Sequence, residues 1–455
     1  MTGAIRVRGI SLSAVVLVIA CANPPLAASP TTSASAVPTA SATAAVTAIK
    51  AIYAAPELGV AAAQNAVLPG SVKNDRGMKI GPGSDLWHGP TDAPDEFWII
   101  GDRGPNGQIS VGGANRRTFP VPEYTPLIMR VKAAGTTFQI LQTIPVLAKP
   151  GKGVTGLPNI RGYDEVPYDY SAQTVLPYDP NGLDTEGLVR TRSGTFWLVE
   201  EYSPSLLRVG ADGVVQKRYI PAGVKLTGTD YPVVEAFPAI YGKRKINRGF
   251  EGLTLSRDER TLYIVLQSPL SNPDGKTGDA SRNTRILAFD IATEKLTAEW
   301  VYRLDVVDTF DPKSAGKPAE MKVSSLAWVN PTTLLVGERT DLVMMAYLAD
   351  IGQATNILGS RWDDVATAPS LEAQAELPTG LTPMAKTLVV NVSALPGTPG
   401  KIEGLAIIDA STIAVISDND FAIGDFDKDG MNVSSGVKTL LVVITLAKPL
   451  PLPPT

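Results

Sequence analysis

Beyond about residue 80 no stretch carries the 3.6-residue period of a long amphipathic helix; short aliphatic or aromatic runs alternate instead with clusters of Gly, Pro, Asp and Asn. Such punctuation predicts many short strands. Five segments can be laid over one another. The first run of each ends in a small or acidic pair and Leu: Ser84-Asp85-Leu86, Glu186-Gly187-Leu188, Glu251-Gly252-Leu253, Ser324-Ser325-Leu326 and Glu403-Gly404-Leu405. A second apolar run stops each time at a polar residue, in turn Asp102, Glu201, Gln267, Glu338 and Asp418. Third runs follow at residues 127–131, 206–209, 286–289, 344–347 and 440–443, and fourth runs after several units, for example 138–144, 214–220 and 296–304.

Units of up-and-down strands repeated at a period above about 40 residues predict an all-β fold, a β-propeller, because a four-stranded blade can bury its faces only against its neighbours. Unrelated β-sandwich domains are the alternative, but they would not place a carboxylate or amide at the same point of every unit. Six blades over residues 81–446 would take about 61 residues each. Five repeats are visible, so a sixth blade is expected from the weakly matching stretches 136–180, 221–246 or 355–396. Residues 46–53 read as a strand that could pair with the last strands and close the ring.

Composition narrows the chemistry. The chain has 455 residues, 44% of them apolar, with 41 basic against 45 acidic side chains, so it can bury a large core and offers no basic field for a nucleic acid. One Cys and one His exclude disulfides and cysteine–histidine metal sites, leaving carboxylates, Arg, Lys, Tyr and hydroxyls to carry any reaction. At the N-terminus, Arg6 and Arg8 precede the apolar run Ile10 to Ala20, too short to span a bilayer but suited to an export signal. Val18-Ile19-Ala20-Cys21 resembles a bacterial lipobox, with Cys21 the lipidated residue; the alternative is an unlipidated signal cut near Ala27-Ala28. The uncharged Ala/Ser/Thr/Pro stretch that follows cannot form a core. The expected organisation is a signal peptide at 1–21, a flexible tether at 22–45 and a propeller at 46–448, exported to the periplasm or cell surface and touching membrane only through the lipid.

The unit markers form two columns of acids, Glu186, Glu251 and Glu403 in the first, and Asp102, Glu201, Glu338 and Asp418 in the second. In a propeller both columns can converge on one mouth of the central channel. Crowded carboxylates persist only with a cation, a shared proton or Arg neighbours to offset their repulsion. Arg103 and Arg339 follow two of the acids directly, and a hard, oxygen-seeking ion such as Ca²⁺ suits the donor set. Asp425-Phe426-Asp427-Lys428-Asp429-Gly430 also has the alternating acids of a calcium loop, with Asp425, Asp427 and Asp429 as candidate ligands. Position twelve would be Gly436, so it is not a complete EF-hand.

Asp184-Thr185-Glu186-Gly187-Leu188, Asn247-Arg248-Gly249-Phe250-Glu251-Gly252-Leu253-Thr254, Gly101-Asp102-Arg103-Gly104, Gly337-Glu338-Arg339 and Ser417-Asp418-Asn419-Asp420-Phe421, taken in order, resemble the phytase-like, "esterase-like activity of phytase" family. The resemblance implies an exported propeller that hydrolyses phosphoesters or simple esters. It implies Ca²⁺ on Asp102, Glu186, Glu251, Glu403 and Asp418, phosphate clamped by Arg103 and Arg339, and Glu201 and Glu338 within the catalytic set. Gln267, Ser84 and Ser324 depart from the acidic columns. A sugar lactonase or a non-catalytic binding propeller would use the same acidic mouth. The lone His88 has neither a second His nor a Gly-x-Ser-x-Gly elbow beside it, so it reads as structural.

Overall fold

The computed structural model describes residues 46–454. Cys21, the expected signal and the whole of the expected tether lie outside them. Four-stranded antiparallel sheets recur in chain order and are called blades I to V. Blade I comprises Asp85–Trp87, Glu96–Ile100, Leu127–Ala134 and Thr137–Pro145. Blade II comprises Thr185–Arg190, Phe196–Glu200, Ser205–Val209 and Val215–Pro221, with Val233–Phe237 added in parallel at its edge. Blade III runs from Phe250–Leu255 through Thr261–Leu266 and Asn283–Asp290 to Lys295–Arg303. Blade IV runs from Lys322–Asn330 through Thr333–Arg339 and Met344–Asp350 to Ala385–Asn391.

In blade V, Ile402–Asp409, Thr412–Ser417 and Leu440–Thr445 are completed by a strand from the other end of the chain, Ala48–Ala54. The pairing runs from Ala48 opposite Thr445 to Ala54 opposite Leu440, and Ala54 also bridges to Thr137 of blade I. Joining first strand to last closes the ring by backbone hydrogen bonds.

The propeller has five blades among the described residues, not the six expected. The innermost strands neighbour one another in a closed cycle, I to II, II to III, III to IV, IV to V and V back to I. Five apolar clusters fill the five interfaces, for example Trp98, Ile128, Phe196 and Leu198 between blades I and II, and Val265, Trp300, Val323 and Val336 between III and IV. The stretches expected to supply a sixth blade serve existing ones. Thr137–Pro145 and Ala385–Asn391 are outer strands, Val233–Phe237 is the added fifth strand, and the remainder forms insertions.

Second strands such as Phe196–Glu200 are buried along their whole length because both faces meet a neighbouring blade, which is why they read as continuous apolar runs rather than as alternation. The insertion at 355–381 is pinned to blade III by Arg285. Its guanidinium lies 2.7 Å from Glu299 Oε1 and 3.0 Å from Glu372 Oε1, and all three side chains are buried.

Candidate active site at the acidic mouth

Each Glu-Gly-Leu marker solves a packing problem at the channel. The strand register shifts between Thr185 and Gly187, Phe250 and Gly252, Val323 and Ser325, and Ile402 and Gly404. A bulge of this kind redirects the side chain of its extra residue. Glu186, Glu251 and Glu403 occupy it and line the mouth. The following Gly lets adjacent innermost strands touch: a Cβ at Gly187 would stand 2.8 Å from the Glu251 carbonyl, and one at Gly404 would stand 2.6 Å from the Leu86 amide. The third residue, Leu, enters an inter-blade core.

The mouth opens into a polar cavity of about 440 Å³ lined by residues of all five blades. Two trios of acids gather there. Ligand atoms of Asp102, Asp184 and Glu186 lie within 4.8 Å of one another, as do those of Glu186, Glu201 and Glu251. Burial drives the Glu186 carboxyl well above the ordinary carboxylate range, and Glu251, Asp184, Glu201 and Glu403 add repulsion. Glu201 is raised well above that range by burial and then by Glu251 and Asp184, and Asp102 by burial and then by Asp418 and Asp184.

The predicted Arg residues line the cavity but are already paired with carboxylates. Arg103 Nη1 stands 2.6 Å from Glu165 Oε1 and 3.2 Å from Asp184 Oδ2. Arg339 pairs with Glu403, with Asp341 at 3.1 Å and with Glu251 at 3.7 Å. Asp418 is bound by Lys401 at 2.6 Å, and the same Lys pairs with Asp420. Glu403 and Asp418 therefore line the cavity with cations already beside them.

Two predicted groups lie elsewhere. Glu338 is buried between blades III and IV, bonded by Tyr302 at 2.9 Å, Lys386 at 2.6 Å and the Asp305 amide, so it is a packing residue and not part of the mouth. Asp425, Asp427 and Asp429 sit in an exposed hairpin outside the cavity, where Asp427 Oδ1 accepts from the amides of Asp429 and Met431, both at 2.9 Å. That turn satisfies Asp427 internally rather than converging the three acids. His88 lines a separate apolar cavity of about 280 Å³, with Trp87, Leu255, Trp328, Ile407 and Leu452, and its Nδ1 lies 2.9 Å from the Glu96 carbonyl oxygen.

Sequence reasoning passed over Asp184, Lys322 and Lys401, each two residues before a column marker, and Arg248, three before Glu251. Counting back two positions along the strand would have found the first three. Lys322 Nζ stands 2.6 Å from Asp341 Oδ1, and burial followed by Arg339 and Arg248 pushes its pKa down to about 8. Arg248 hydrogen-bonds only to Ser268 Oγ and the Ala319 carbonyl, both at 3.1 Å, and has no carboxylate partner among the described residues.

Residues 81–421 match the family described as phytase-like, esterase-like activity of phytase. The chain belongs to this phytase-like family. Over 138 residues this phytase-like chain is 34% identical to an "Uncharacterized secreted protein" of Arthroderma benhamiae, and the match spans 27% of each. Among solved structures it is similar to a luciferin-regenerating enzyme, with TM-score 0.33 and 10% identity over 82% of this chain and 94% of the other. The Pan2 WD40 domain of Neurospora crassa gives TM-score 0.28 and 10% identity over 82% and 92%.

Proposed function

We propose that this phytase-like propeller is an exported hydrolase that cleaves phosphate esters at the acidic mouth with the help of a divalent cation. The observation that carries the reading is the crowding of charge in one cavity, where two trios of acids share the unpaired Glu186 and the same lining holds Arg248, which has no carboxylate partner among the described residues, and the ammonium of Lys322.

The residues present fit a hard cation. Every donor is oxygen, and Glu251 Oε2 and Gln267 Oε1 are buried without a hydrogen-bond partner. Asp102, Asp184, Glu186, Glu201 and Glu251 would hold the ion. When bound, Ca²⁺ supplies Lewis-acid polarisation of a phosphoryl oxygen and a more acidic water. The chain's own part is positional and electrostatic. Arg248 and Lys322 bind the remaining phosphate oxygens and offset the charge that develops on them. Arg103 and Arg339 are positioning residues, holding Asp184, Glu403 and Glu251 in place. Gly249 N–H donates to Glu201 Oε1 at 3.1 Å and orients it.

Hydrolysis of p-nitrophenyl phosphate and phytate that needs Ca²⁺, stops with chelator and is lost in Glu251→Gln is the expected result. Equal rates with Ca²⁺ and chelator would sink the metal dependence. Cleavage of p-nitrophenyl acetate or a lactone, but of no phosphate ester, would replace the substrate class. The same reading includes export and lipid attachment at Cys21; palmitate should label the protein in cells and fail to label Cys21→Ser, whereas an unlabelled wild type excludes the anchor.

A further inference from the structure

The two trios of acids share one residue, Glu186. We propose that the cavity holds two divalent cations, one among Asp102, Asp184 and Glu186 and the other among Glu186, Glu201 and Glu251, with the Glu186 carboxylate bridging them. This rests on the reading that the acidic mouth is a cation-dependent site, and it adds the number of ions and the division of ligands between them.

Glu186 is 8% exposed and makes neither a hydrogen bond nor an ion pair with any described residue, so both its oxygens are free for ligands. That is unusual for a buried carboxylate, which ordinarily has partners. Glu251, at 2% exposure, keeps Oε2 unpartnered, so the second trio also offers a free oxygen at its far end.

The formal charge of the site matches two ions. With Glu165 and Asp184 counted through their pairs to Arg103, ten carboxylates stand around the cavity against six Lys and Arg side chains, an excess of four negative charges. Fully ionised, that set is balanced by two divalent ions and only half balanced by one. Glu403 and Asp418 fall outside both trios, and each is held by a closer cation, Arg339 and Lys401.

The test is Ca²⁺ binding to the full chain, stripped with chelator and titrated by calorimetry and equilibrium dialysis. The wild type should take up two equivalents. Asp102→Asn and Glu201→Gln should each retain one, and the double variant none. Glu186→Gln should weaken both sites at least tenfold. Each substitution relieves crowding among the carboxylates, so the cation-free variants should melt at or above the wild-type temperature, which separates lost ligands from lost folding. One equivalent in the wild type, or the same single equivalent lost in both single variants, overturns the two-ion site. Phosphate-ester hydrolysis with only one bound ion would overturn this proposal and leave the hydrolase reading standing. Two equivalents without hydrolysis would do the reverse.

Discussion

Arg248 and Lys322 differ from the other cations of the mouth in what is left over after their local contacts. Arg103, Arg339 and Lys401 each face two or more carboxylates, whereas Arg248 meets only a hydroxyl and a carbonyl. A hydrogen bond from a charged donor is worth about 1.5–3 kcal/mol, so Arg248→Ala should raise KM for p-nitrophenyl phosphate roughly 10- to 100-fold. KM for the neutral p-nitrophenyl acetate should move far less, and an equal rise for both esters would remove Arg248 from phosphate binding. Lys322 adds a pH dependence. Its ammonium, with a pKa pushed down to about 8, loses its charge above that pH. KM for the phosphate ester should therefore climb from pH 8 to 9.5 in the wild type and stay flatter in Lys322→Arg; parallel profiles would contradict the role. The acids of the mouth were legible in the sequence because they repeat. Arg248 was visible only as part of a motif, since nothing in its spacing says that it alone lacks a carboxylate.

At the scale of the element, the Glu-Gly-Leu marker is a strand start whose three residues face the mouth, the neighbouring innermost strand and the inter-blade core. The alignment located it, but the bulge that aims Glu186, Glu251 and Glu403 appears only in the strand register. Ala48–Ala54 is the element on which closure depends. It pairs with Leu440–Thr445 and carries Ile49 and Ile52 against the core between blades IV and V. Losing six paired residues at about 1 kcal/mol per hydrogen bond, plus that apolar contact, should lower the melting temperature by about 10 °C or more when residues 46–54 are deleted. An unchanged melting curve would show that the ring holds without it. Glu338 departs from its column for a related reason. Its position in the column matched the others, but Tyr302, Lys386 and Asp305 draw it between blades.

For the whole molecule, the ring concentrates acids from several blades at one mouth, and this couples stability to pH and to cations. The carboxyls of Asp102, Glu186 and Glu201 hold their protons more tightly in the folded chain than in the unfolded one. Without a cation, their contribution is present below the ordinary carboxylate range and is lost as pH rises through their raised values. Bound Ca²⁺ takes the place of those protons and stabilises by mass action. The rise in melting temperature on adding Ca²⁺ to chelated protein should therefore be larger at pH 8 than at pH 5; an equal rise at both would argue against these acids as the ligands.

The sequence by itself determined the strand-rich class, the repeat and the column of acids, because each is a periodic property set by alternation of apolar runs and by residues recurring at one point of every unit. The number of blades, the partner of each charge and the pairing of residues 48–54 with 440–445 were decided by the tertiary structure. These depend on which strands finish existing sheets and which side chains from distant segments reach the same cavity. Such contacts join residues tens to hundreds of positions apart, and no local pattern encodes them.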